Sequence, residues 1–197
     1  GSQILTHYPK SLAMSKLITS QEAKKDVEKE KVVSMHDLIP TLIERVVIEA
    51  RTSEFVDAKS GVSARLAISA LENIYSGVER RVAINGDKKS LVRISDLVSI
   101  IPAITGKIEM VYEGEQEGTS FVAQHLISEA TKTLFLQYFP KVEKLKKQDQ
   151  ETPYDEVLKW FFEADAFELA DDANEETYET ALLSIKPLDM LLHKYQP

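Results

Sequence analysis

The sequence predicts a mainly α-helical fold, a helical bundle followed by a helical C-terminal extension with at most a short β-hairpin. Three observations carry that prediction. Apolar residues recur at three- and four-residue spacing through several long windows, Ala, Leu, Glu and Lys are abundant, and only 7 glycines and 7 prolines interrupt 197 residues. A chain of this length buries a core without covalent staples. It has no cysteine, which excludes disulfides and thiolate metal sites and makes a cytoplasmic location the default. Its 32 acidic against 24 basic residues, a net charge of −8, argue against a general nucleic-acid binder, which needs surplus Lys and Arg to displace counterions. No apolar run approaches the ~20 residues of a membrane span, so no membrane partner is expected.

The elements follow in order. Gly1-Ser2 reads as a cloning scar, and the residues after it as a cut end. Pro9 forces Tyr8 toward an extended conformation, and Leu12 to Leu17 then take up a short helical pattern. Thr19-Ser20-Gln21-Glu22 has the form of a capping box, starting a second, charged helix that runs to about Lys31 with Ala23 and Val27 as its core candidates. Asp37 is placed to cap the next helix, with Pro40 tolerated in its first turn. There Ile39, Leu42, Ile43, Val46, Val47 and Ala50 form an apolar stripe, while Glu44, Arg45, Glu49 and Arg51 stay outside, the two arginines pairing with Glu49 and Asp57, with a nucleotide role as the alternative.

The stretch from Asp57 to Val82 organises the rest. A turn at Lys59-Ser60-Gly61 leads into a helix whose apolar positions are Ala64, Ile68, Leu71, Tyr75, Val78 and Val82. Arg65, Ser69, Glu72, Ser76 and Glu79 line the other face, so one guanidinium sits in the first turn just past a flexible glycine. A helix start offers unpaired N–H groups and the positive end of the macrodipole, and an arginine beside them adds a planar fork of donors suited to phosphate oxygens. The plainer alternative is an exposed arginine paired with a nearby acid.

Asn85-Gly86-Asp87 ends that helix in left-handed conformers, and Ser90 to Arg93 form a short extended piece. Ser95 begins a helix interrupted at Pro102 and closed by Gly106; Ile108, Met110 and Tyr112 then read as a short strand or arm. Glu113 to Gly118 reads as an acidic surface loop, since its spacing does not match a calcium loop. Thr119 caps a long helix with Val122, Leu126, Ala130, Leu134 and Tyr138 in register; His125 on it is a packing or surface residue. Val142 to Lys147 continue as a short basic helix, and Gln148 to Pro153 are the linker candidate. Beyond it Val157, Leu158, Phe161 and Phe162 gather around Trp160, Asp171 or Asp172 caps a helix carrying Tyr178, Leu182 and Ile185, and Pro187 starts a last amphipathic helix.

Two runs carry a family resemblance. Lys59 to Asn73, KSGVSARLAISALEN, resembles the sensor-2 segment of AAA+ ATPases of the magnesium chelatase and MoxR-like group. Ile94 to Gly118, ISDLVSIIPAITGKIEMVYEGEQEG, resembles the region that follows that segment in magnesium-chelatase-like proteins, and the likeness covers most of residues 3–140. It implies that residues 3–112 are a helical AAA+ lid-like region and residues 113–197 a helical C-terminal extension. It also implies that Arg65 is the sensor-2 arginine touching the terminal phosphate of ATP, with Gly61 letting the chain approach. The partners implied are the other parent subunits of a ring oligomer and a client, either a porphyrin receiving its metal or a protein with a metal-dependent adhesion domain. ATP and Mg2+ are then cofactors of the parent. The sequence contains no G-x-x-x-x-G-K-[ST] phosphate loop and no apolar strand ending in paired acids, so the nucleotide-binding core is expected upstream and no ATP hydrolysis is expected from this chain alone. No catalytic or metal-ligating residue is assigned within it. A second reading makes the chain a helical protein-interaction module that grips a partner through Trp160, Phe161 and Phe162 or through its acidic C-terminal region.

Overall fold

The computed structural model describes residues 2–5, 7–24, 31–141, 152–164 and 166–195. Its helices are α1 (Leu12–Glu22), α2 (Leu38–Thr52), α3 (Arg65–Asn85), α4 (Ile101–Thr105), α5 (Tyr112–Glu117), α6 (Thr119–Tyr138), α7 (Asp155–Glu163), α8 (Glu175–Ser184) and α9 (Lys186–Tyr195). A 3-10 segment (Ile94–Ile100) leads directly into α4, the change of helix type falling beside Pro102. Among the described residues strands are confined to β1 (Val33–Ser34) and β2 (Ser90–Leu91), which pair in parallel and so join distant parts of the chain. The fold is therefore mainly α with one short strand pair. The expected arm at Ile108 to Tyr112 makes a single antiparallel bridge, Met110 to Val56, closed by Asp57 N–H donating to the Glu109 carbonyl at 2.9 Å.

α3 lies at the centre, touching α1, α2, both strands, the 3-10 segment and α4, while α2 packs chiefly on α6. Its buried face is Leu66, Ala67, Ala70, Leu71, Ile74, Val78, Arg81 and Val82. Ala64, Ile68 and Tyr75, expected inside, sit at the margin instead. The first half of α3 is apolar on more than one side, so periodicity alone does not fix its phase; the neighbours on both flanks do. Arg81 is accepted indoors because Asp96 pairs with it and its other terminal nitrogen donates to the Ser90 hydroxyl at 3.1 Å and the Leu91 carbonyl at 2.9 Å. The helix ends at Gly86 in the left-handed conformation, as its sequence predicts.

The α2 and α6 stripes are buried as expected, and one continuous core runs from Ala23 to Leu134. That core crosses the boundary expected between residues 112 and 113, since α6 supplies Val122, Ala123, Leu126, Ala130 and Leu134 to it. Several capping expectations are corrected. Thr119 is the first residue of α6 and Gly118 its cap, with no side-chain bond. Asp37 holds the cap position of α2 but makes no capping bond, its carboxylate being engaged by Lys16 at 2.6 Å. Asn174 rather than Asp171 or Asp172 caps α8, accepting from Thr177 N–H at 2.8 Å. Glu113 to Glu117 lie in α5 rather than in a loop, because Gly114 lets the helix rest on the Phe55 carbonyl, 2.6 Å from where a Cβ would stand. His125 is exposed and packs edge-on to Phe55 with ring centroids 5.7 Å apart. The charged helix expected to reach Lys31 falls mostly on residues 25–30, the basic helix on residues 142–147 and all of the linker but Thr152 and Pro153 on residues 148–151, outside the described residues.

The largest correction concerns α1. Thr19 does not start a second helix; α1 runs through it to Glu22, with Ser11 as its cap accepting from Met14 N–H at 3.2 Å. Thr19 faces inward and donates its hydroxyl to Glu44 at 2.5 Å, while Ser15 donates to the other oxygen of the same carboxylate. Glu44, expected outside, is only 2% exposed. Two hydroxyls spaced one helical turn apart thus replace water around a buried carboxylate and tie α1 to α2. Glu44→Ala should lower stability by about 1–3 kcal/mol, the cost of stranding buried polar groups, with Glu44→Gln costing less. Urea unfolding followed by circular dichroism measures both.

Candidate functional site

The start of α3 is built from three short pieces, the N-terminal arm, the end of α2 and the loop 57–64. Asp57 organises the loop. Its carboxylate accepts from Lys59 N–H at 3.1 Å, Ser60 N–H at 3.2 Å and the Ser60 hydroxyl at 2.7 Å. The Ser60 hydroxyl, followed by the Lys59 backbone, holds the Asp57 carboxyl below its ordinary value of 3.8. Glu109, brought in by the bridge to Met110, also reaches the Ser60 hydroxyl. Gly61 then turns the chain at φ 68°, with its N–H donating to the Asp57 carbonyl at 3.2 Å.

Gly61 is required for a contact the sequence does not announce. A Cβ there would stand 2.6 Å from the hydroxyl oxygen of Tyr8. That hydroxyl accepts from Val62 N–H at 3.1 Å, and the Tyr8 ring lies under the Arg51 guanidinium, 3.9 Å from its centroid. Arg51 completes the closure by donating Nε–H to the Val62 carbonyl at 3.3 Å. Both backbone groups of Val62 are therefore held, one by the arm and one by α2. Arg51 stacks on Tyr8 instead of pairing with Asp57, which is spent on its own turn.

Arg65 follows three residues after Val62, as the first residue of α3, and is exposed. Among the described residues no acidic side chain forms an ion pair with it. The bare helix end contributes less than expected, because Ser63 accepts from Arg65 N–H through its hydroxyl at 3.2 Å and from Leu66 N–H through its carbonyl at 3.1 Å. The donor left over is the guanidinium. A groove of about 560 Å³, which Arg65 does not line, opens between the arm and Ala64, with Tyr8, Pro9, Lys10, Met14 and Ile18 in its walls. Gly61 and Arg65 are thus gathered at one end of α3, and Tyr8 and Arg51, missed from the sequence, support them. The one signal for Tyr8 was Pro9, which predicts an extended arm but not where the arm lies.

Among the described residues no group of three or more His, Asp or Glu side chains is arranged to hold a metal ion, and no helix is long and apolar enough to cross a membrane. No protein family matches the chain, and neither does any curated protein or solved structure.

Two outcomes test this geometry. Gly61→Ala should cost about 1–2 kcal/mol from the left-handed backbone plus a clash with Tyr8, and the second part should vanish in a Tyr8→Phe background, so a thermal double-mutant cycle should show coupling. Because the Asp57 carboxyl is lowered, its contacts are complete above the ordinary value of 3.8 and are lost as pH falls through the lowered one. The amide resonances of Lys59 and Ser60 should move together in that acid window and stay fixed at higher pH.

Proposed function

We propose that this chain is the helical lid and C-terminal extension of a magnesium-chelatase-like or MoxR-like AAA+ ATPase, with Arg65 reaching the terminal phosphate of ATP. The observation that carries the reading is the exposed Arg65 guanidinium at the first turn of α3, without an acidic partner among the described residues, on a loop braced from two sides. A fork of charged donors held at a fixed place favours a charged phosphate oxygen. Because ATP offers that oxygen and ADP does not, the orientation of the lid would follow hydrolysis and pass around a ring of subunits as movement. Magnesium and the remaining phosphate contacts would come from a nucleotide-binding core, and no residue of this chain is assigned to them. The client is a porphyrin taking up its metal or a protein with a metal-dependent adhesion domain.

A second reading, a helical protein-interaction module, draws on α7. Leu158 is 52% and Phe162 88% exposed there, while Trp160 is half-buried against Phe161 and Phe167. The two readings apply to opposite ends of the chain. In the polypeptide that joins this chain to a nucleotide-binding core, Arg65→Ala should lower ATP turnover at least about tenfold, or about 1.4 kcal/mol of barrier, with the circular dichroism spectrum unchanged. Unchanged turnover removes the nucleotide role and leaves the interaction module.

A further inference from the structure

Among the described residues of 152–195, none belongs to the main core. Ile185 and Leu191 are their buried apolar residues among those described, and both lie outside the continuous cluster. The two ends of this segment rest on α6, where Tyr154 packs on Phe135 and donates its hydroxyl to the Pro140 carbonyl at 2.7 Å and Tyr195 packs on Phe139, whereas residues 171–178 are seated by polar contacts that converge on one side chain. Arg93, 5% exposed, lies between β2 and the 3-10 segment. One terminal nitrogen donates to the Asp171 carbonyl at 2.9 Å; the other donates to the Ala173 carbonyl at 2.9 Å and reaches the Glu175 carboxylate at 3.4 Å. The face of the guanidinium stacks on Tyr178, 3.7 Å from the ring centroid. Glu175 also accepts from the Ser90 hydroxyl at 2.5 Å and from Leu91 N–H at 3.1 Å, and Asn85 donates to the Asp172 carbonyl at 2.7 Å.

The division of labour is one-sided. Asn85, Ser90, Leu91 and Arg93 supply donors, and residues 171–178 supply three carbonyls, a carboxylate at a helix start and an aromatic ring one turn later. One reverse bond runs from Glu175 N–H to the Asp87 carboxylate at 3.2 Å. Burial pushes the Glu175 carboxyl up, but Ser90, Leu91 and Arg93 outweigh it and hold it below its ordinary value. The backbone that carries these donors is itself tied into the core, since Arg93 N–H donates to Asp96 at 2.7 Å and β2 pairs with β1.

We propose that the groove around Arg93 is a recognition site for an acidic peptide segment of a partner protein, one with a glutamate at a helix start and an aromatic residue three positions on, and that this chain's own residues 171–178 fill it as a built-in competitor. Acidic residues Asp171, Asp172, Glu176 and Glu179 flank the contact and match the buried Arg93 guanidinium, whose buried neighbour Arg81 is already paired with Asp96. A tethered occupant competes through its high effective concentration, so a partner binds only where it outmatches or displaces the tether. The inference is independent of the nucleotide reading and leaves Arg65 unused.

The probe is a fluorescein-labelled peptide of residues 169–184, titrated by anisotropy against the full chain. Binding should be at least tenfold tighter to a Glu175→Ala/Tyr178→Ala chain, whose own segment is weakened, than to the wild type. It should be lost when Arg93→Ala is added to that chain or when the peptide itself carries Glu175→Ala. Equal binding to both chains, or binding indifferent to Arg93, would overturn the proposal. If the weakened chain loses its helical circular dichroism, hydrogen exchange on the wild type decides. Saturating peptide should then raise exchange at residues 171–178 while α2 and α3 stay protected, and an unchanged pattern overturns the proposal. Wild-type dimers formed by exchanging the segment between copies would also overturn it, in favour of a self-interface.

Discussion

The burial of one face of α3 along its whole length is the constraint on which the remaining structure depends. Ile74 and Val78 are fully enclosed there, and every neighbour in the core is placed by contact with that face or with its partners α2 and α4. A helix so held cannot rotate, and a residue's position along it decides its surroundings. Arg65, opposite the buried face at the first turn, is delivered to the surface; Arg81, on the buried face four turns later, is delivered to the interior and must find Asp96. The same hydrophobic burial therefore produces one arginine available to a ligand and one consumed by structure.

Polar contacts then set the details that apolar packing leaves open. The Ser15, Thr19 and Glu44 cluster fixes α1 on α2, and α1 continues from the arm that brings Tyr8 under Arg51. Val62 is gripped through both backbone groups, so the loop before Arg65 is coupled to the arm on one side and to α2 on the other. At the far end Asp96 and Arg93 serve the C-terminal segment in the same way. In both places an arginine reads backbone carbonyls, a task its planar fork of donors suits and a lysine does not.

Much of this was legible in the sequence. The stripes of α2 and α6 and the glycine end of α3 follow directly from spacing and local backbone preference. The placement of Arg65 at an exposed first turn was legible for the same reason. What escaped were residues whose roles depend on partners distant in the chain. Thr19 and Glu44 look like a cap and a surface acid until α1 is laid against α2, 25 residues apart in sequence. Gly61 looks like a hinge until Tyr8 arrives from 54 residues before Val62. Asp171 and Asp172 are plausible caps by type, but Asn174 stands where the first turn of α8 needs an acceptor. The Arg93 guanidinium gave no local signal, since the hydrogen-bond partners it takes lie 78 to 82 residues away.

The central claim is that the guanidinium at the head of α3 serves a nucleotide phosphate. The most direct measurement is a cryo-electron-microscopy structure, with a non-hydrolysable ATP analogue, of the ring proposed for the polypeptide that joins this chain to a nucleotide-binding core. The account predicts the Arg65 guanidinium about 2.7–2.9 Å from an oxygen of the terminal phosphate, withdrawn when the analogue is replaced by ADP. A ring in which Arg65 faces solvent or a protein carboxylate in both nucleotide states would contradict it.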